Sequence, residues 1–160
     1  MLRLTTIVVM LALVAGCSRT PESATSTEPR APLYDNLGTL HHEITTSSPE
    51  AQRYFDQGLR LSYAFNHAEA IRAFRQAAAV DPTCAMCYWG VAFALGPNIN
   101  APISPEAAKE AFAAINDART RGARASAREQ AYIEALAKRY TADPAAERAP
   151  LDAAYAAAMR

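Results

Sequence analysis

Charge of one sign is missing from this chain: over 160 residues, 16 basic side chains balance 16 acidic ones. That removes the concentrated cationic surface with which nucleic-acid-binding proteins neutralise phosphates. Long hydrophobic runs are missing too. The longest, about a dozen residues from Leu4 to Ala15 broken only by Thr5 and Thr6, is too short to cross a bilayer as a helix, which takes about 20. No nucleophile–base–acid set, Gly-rich phosphate loop or paired-carboxylate arrangement can be picked out, so neither catalysis nor a cofactor is expected.

What is present is apolar and rich in alanine. Apolar residues make up 51% and charged residues 20%, the balance of a globular chain of about one domain, and alanine favours closely packed helices over a sheet.

The first 32 residues address the chain rather than fold it. Arg3 opens a short apolar run that closes on Val14-Ala15-Gly16-Cys17. That ending resembles the bacterial lipobox, in which the peptide is cut before the cysteine and the thiol is acylated. The resemblance implies a signal peptide over residues 1–16, a lipidated Cys17 and a location in the cell envelope. Ser18 in place of an inner-membrane retention aspartate points to the outer membrane. Residues 17–32, lacking any large apolar side chain, read as a flexible tether reaching at most about 50 Å. Residues 33–46 carry Leu33, Tyr34, Leu37, Leu40 and Ile44 at no helical period and are expected to lie extended on the domain. His41 and His42 would then point to opposite sides and could not easily grip one metal ion, so no metal site is expected.

From residue 47 onward the pattern turns helical. Ser48-Pro49-Glu50 and Ser104-Pro105-Glu106 each supply an N-cap, a first-turn proline and an acid at the positive helix end. Ser126 with Glu129 forms a capping box. Breaks near Asn66-His67, Asp81-Pro82, Gly96-Pro97, Gly122 and Asp143-Pro144 divide the remainder into six helices, or three hairpins.

The first hairpin places Tyr54, Gln57-Gly58 and Leu61 on one helix face and Ala70, Phe74 and Ala77 on the next, before Pro82. This order resembles the tetratricopeptide repeat, in which a large residue, a small one and another large one precede an Ala-x3-Phe and a proline over about 34 residues. Gln57 departs from it, standing where an apolar residue is usual. Weaker copies follow at Tyr88, Val91-Ala92, Leu95, Ala111 and Ile115, then at Ile133, Leu136-Ala137, Tyr140, Leu151 and Tyr155. The resemblance implies an all-α fold, a right-handed α-solenoid of about three hairpins over residues 47–160. The apolar period running up to Arg160 suggests a fragment of a longer array.

In such repeats the first helix of each hairpin lines a concave groove, which assigns Gln52, Phe55, Leu59, Tyr63, Met86, Trp89 and Phe93 to a partner-binding surface. Apolar and aromatic, it would suit a protein or peptide segment of the same character; the plainer alternative is that these residues are core. Cys84-Ala-Met-Cys87 opens a helix as a possible disulfide or pair of packed thiols. Tyr88 stands where haem attachment would need histidine. The preferred function is therefore a membrane-anchored interaction scaffold that is not an enzyme. The rival is a redox or enzymatic module using Cys84 and Cys87 or a region beyond residue 160. A polar group of Asn66, His67, Asn98 and Asn100 at one end of the stack is a further geometric possibility.

Overall fold

The computed structural model describes residues 30–160. The expected signal peptide, the expected lipidation site Cys17 and nearly all of the expected tether therefore lie outside the described residues. Those described form six α-helices: α1 (Pro49–Tyr63), α2 (His67–Val80), α3 (Ala85–Leu95), α4 (Pro105–Arg121), α5 (Ala127–Ala137) and α6 (Arg148–Ala158), with a 3-10 turn, Gly122–Arg124, before α5. Among the described residues there is no strand, only an isolated bridge between Asn98 and Ala101.

The helix starts are chemically specified. Ser48 Oγ accepts from Ala51 N at 3.2 Å and Ser104 Oγ from Ala107 N at 3.1 Å, each beside a proline that has no amide to satisfy. The Ser126–Glu129 capping box is closed on both sides, at 3.3 and 2.7 Å. Helix α1 ends in a Schellman turn, with Asn66 N donating to Leu61 O at 2.9 Å and Phe65 N to Ser62 O at 3.1 Å. The left-handed position of that turn is held by Phe65, at φ 60°, where glycine is usual.

Consecutive helices pack as α1 on α2, α3 on α4 and α5 on α6, and the first members touch in succession, α1 on α3 and α3 on α5. Phe74 of α2 is the central knob. A Cβ built on Gly58 of α1 would lie 2.6 Å from its ring, and one on Gly90 of α3 only 2.2 Å away. Both glycines therefore exist to let one ring sit against two helix backbones, and Phe74 is fully buried as a result. Tyr140, just past α5, closes the far side, its hydroxyl donating to Ala92 O at 2.6 Å; burial pushes that phenol up to about 12.

Residues 30–47, the strap, carry no helix and run along α1, away from its start and then back. Outbound, Tyr54 OH donates to Ala31 O at 2.9 Å, and Gln57 both accepts from Tyr34 N and donates to Pro32 O, each at 2.8 Å. That explains the polar residue on the repeat stripe: Gln57 is buried, and its amide supplies the partners that an extended backbone needs. Inbound, Arg60 donates to Leu40 O at 2.8 Å, Asp56 receives His42 N at 3.0 Å, and Gln52 receives Ile44 N at 3.0 Å. The segment then leaves α1 and reaches α5.

Candidate functional site: an aromatic groove and the strap across it

Six of the seven groove residues assigned from sequence line one cavity of about 390 Å³: Phe55, Leu59 and Tyr63 from α1, and Met86, Trp89 and Phe93 from α3. The seventh does not. Gln52 is turned to the strap, its amide nitrogen donating to His42 O at 2.9 Å and to Asp56 Oδ1 at 3.0 Å. A side chain with two donors and an acceptor goes where backbone groups need partners, not into an apolar wall.

Four lining residues were not assigned from sequence. Tyr132 comes from α5, Tyr155 and Met159 from α6 and the residue after it, and His42 from the strap. The imidazole of His42 sits 6.2 Å from the rings of both Phe55 and Tyr132, while its neighbour His41 turns away to Asp56 Oδ2 at 2.7 Å. Trp89 stacks on Phe93 at 5.0 Å, and its indole N–H donates to Tyr132 O at 3.2 Å, tying α3 to α5.

The cavity has a floor and a rim. Phe55 and Met86 are completely buried and belong to the core as much as to the groove, whereas Tyr63 is 65% exposed and Met159 44%. No lysine, arginine or carboxylate is in the wall. Such a surface discriminates by shape and apolar contact, not by charge.

Beyond His42, residues 43–47 are fastened to α5 and to Asp81. Thr45 N and Thr45 Oγ donate to the two carboxylate oxygens of Glu129 at 2.6 and 2.5 Å, across 84 residues of sequence. Thr46 Oγ donates to Asp81 at 2.5 Å, and Asp81 also receives Thr83 N and Oγ at 3.0 and 2.7 Å. Burial alone would raise both carboxyls. The donors from Thr45 and Ser126 to Glu129, and from Thr46, Thr83 and Cys84 to Asp81, outweigh it and hold both below the usual carboxylate range.

Cys84 and Cys87 form a disulfide, with Cα atoms 5.4 Å apart, and both are buried. Cys84 also caps α3, its sulfur accepting from Cys87 N at 3.1 Å. Of the polar group near the other helix ends, the asparagines serve local turns, and both ring nitrogens of His67 are buried without a hydrogen-bond partner. Asn66 caps α2, Asn98 Oδ1 receives Asn100 N at 2.8 Å, and the His67 ring stands edge-on to Phe65. No hydrogen bond joins the four side chains. Among the described residues no group of three potential metal ligands converges, and no helix is long and apolar enough to cross a membrane.

No protein-family model, curated protein or solved structure matches this chain, and the geometry above carries the functional reading.

Proposed function

We propose that the chain is a cell-envelope lipoprotein, anchored through Cys17 and facing the periplasm from the outer membrane, whose hairpins stack as a right-handed tetratricopeptide-like solenoid and act as an interaction scaffold. Its groove seats an apolar or aromatic segment of a protein partner. The observation that carries this reading is the uncharged cavity of about 390 Å³ with a buried aromatic floor and an exposed rim built from four helices. A cavity near the lower end of the ligand-pocket range suits one or two bulky side chains of a partner. Aromatic rims of this kind bring large contact area at low entropic cost.

The test is a photo-crosslinking residue at Tyr63 in the full-length protein in envelopes, with Lys109 on α4 as the control site. An adduct formed from Tyr63 and not from Lys109, and lost with Phe93→Ala at unchanged melting temperature, is the expected result. Equal adducts from both sites would overturn it. Substituting Phe55 is uninformative here, because a completely buried ring reports on folding.

The rival redox reading gains nothing from the cysteines' surroundings. Both sulfurs are buried, so an incoming thiolate has no approach without local opening. Replacing both with serine should leave the Tyr63 adduct intact.

A further inference from the structure

The strap and the start of α5 enclose a second cavity, of about 620 Å³, separate from the groove and opposite to it in chemistry. Its wall comprises strap residues 43–47, Thr83, Arg124 at the end of the 3-10 turn, and Ser126, Arg128 and Glu129 at the start of α5.

The charges in this wall are unequally committed. Both oxygens of Glu129 are filled by Thr45 and by Ser126 N, and the adjacent Asp81 is filled by Thr46 and Thr83. Glu43 is exposed on the strap. The two guanidinium groups have no such partners. Elsewhere Arg75, Arg119, Arg121, Arg139 and Arg148 are each matched with a carboxylate, while Arg124 and Arg128, like the solitary Arg53 on α1, make neither an ion pair nor a hydrogen bond among the described residues. Glu129 and Asp81 thus point their lone pairs at backbone and hydroxyl donors, which leaves two guanidinium groups against the single free carboxylate of Glu43 in the wall. The hydroxyl hydrogen of Ser126 is also available, since its oxygen accepts from Glu129 N.

We propose that this cavity is a binding site for a phosphate-type oxyanion, held by Arg124 and Arg128 with Ser126 as a hydroxyl donor. A guanidinium pair presents planar donors that match the oxygens of a phosphate or phosphomonoester, and charge-assisted bonds of this type are the strong ones. The positive end of α5 adds to the attraction without being its basis. The proposal is independent of the groove reading.

The source of the phosphate is either a free or soluble phosphomonoester or the headgroup of an anionic lipid, and two arms separate them. In the first, inorganic phosphate is titrated into the full-length protein at low salt and followed calorimetrically, alongside the Arg124→Ala/Arg128→Ala double variant and an Arg53→Ala control. Saturable binding that weakens roughly tenfold or more in the double variant and is unchanged in the control is expected. In the second, flotation of the Cys17→Ser protein, which carries no acyl chain, with phosphatidylglycerol vesicles is compared with phosphatidylcholine vesicles. Retention on the anionic vesicles that depends on both arginines assigns the headgroup, and phosphate binding without such retention assigns the soluble ligand. Absence of saturable binding in both arms, or binding that the double variant keeps within about twofold, would overturn the proposal. Both arginines are exposed, so the double variant should fold, which circular dichroism checks.

Discussion

The first hairpin and the last helix are cut from the same alanine-rich stock, yet they are held by different means. The inner faces of α1 and α2 are tightly packed: Phe74 fills a notch made by two glycines, Phe55 meets it edge-on at 5.4 Å, and the strap runs along both flanks of α1. Helix α6 has no buried residue and no side-chain cap. It is fastened by polar clamps, with Arg139 and Arg148 sharing Asp152 at 3.0 and 2.8 Å and Arg139 lying over the Tyr155 ring. Shape complementarity fixes the first hairpin; partly exposed charge fixes the last helix, and charge in that setting is worth far less.

The largest break in this contrast should come from Phe74→Ala, which empties the notch between Gly58 and Gly90. A loss of about 3–5 kcal/mol in urea denaturation is expected, enough to abolish a marginal fold. Gly90→Ala approaches the same site from the other side, forcing the ring to shift, and should cost about 1–3 kcal/mol. Glu129→Ala removes the acceptor for Thr45 and Ser126 and leaves their donors unmatched, at a cost of about 1–3 kcal/mol.

Acid extends the same test. Because the folded carboxyls of Glu129 and Asp81 lie below their ordinary values, the stability they supply is present above about pH 4 and is lost as pH falls through their lowered folded values. The wild-type midpoint should therefore fall more steeply with acidification than that of Glu129→Gln; parallel curves would refute the linkage. Asp152→Ala, by contrast, should cost less than about 1 kcal/mol in global stability, while raising amide exchange selectively in α6. The smallest effect is a gain: Phe65→Gly relieves a left-handed bulky residue whose ring is largely exposed, and should stabilise by up to about 1 kcal/mol.

Much of the helical framework could be read from residues whose signals are local. Caps and first-turn prolines act within one turn, so Ser48, Ser104 and Ser126 declare their helices without reference to the rest of the chain. The same is true of the aromatic run through Phe55, Trp89 and Phe93, whose spacing sets which face it shares. Contacts that depend on rotation between elements were out of reach. The residue after the stripe position lines the cavity in α1 (Phe55) and α3 (Trp89), but the equivalent residue of α5, Glu134, does not. Glu134 instead pairs with Arg119 on α4 at 2.8 Å, and α5 presents Tyr132 to the groove. Gln52 was misplaced for a related reason: the groove period was right for its position, but its partners are backbone groups of a segment without periodicity. The aperiodic apolar residues of that segment, from Leu33 to Ile44, show that it packs, and Gln57, a polar residue on an otherwise apolar stripe, marks where.

An array of paired helices that touches only its nearest neighbours has two loose ends, and melting can creep inward from either. The carboxylate of Glu129 changes that topology by grasping Thr45 from α5, so that α1, α3, α5 and the strap make a closed circuit. Fraying that starts at α6 should halt at α5, and everything inside the circuit should come apart in one step.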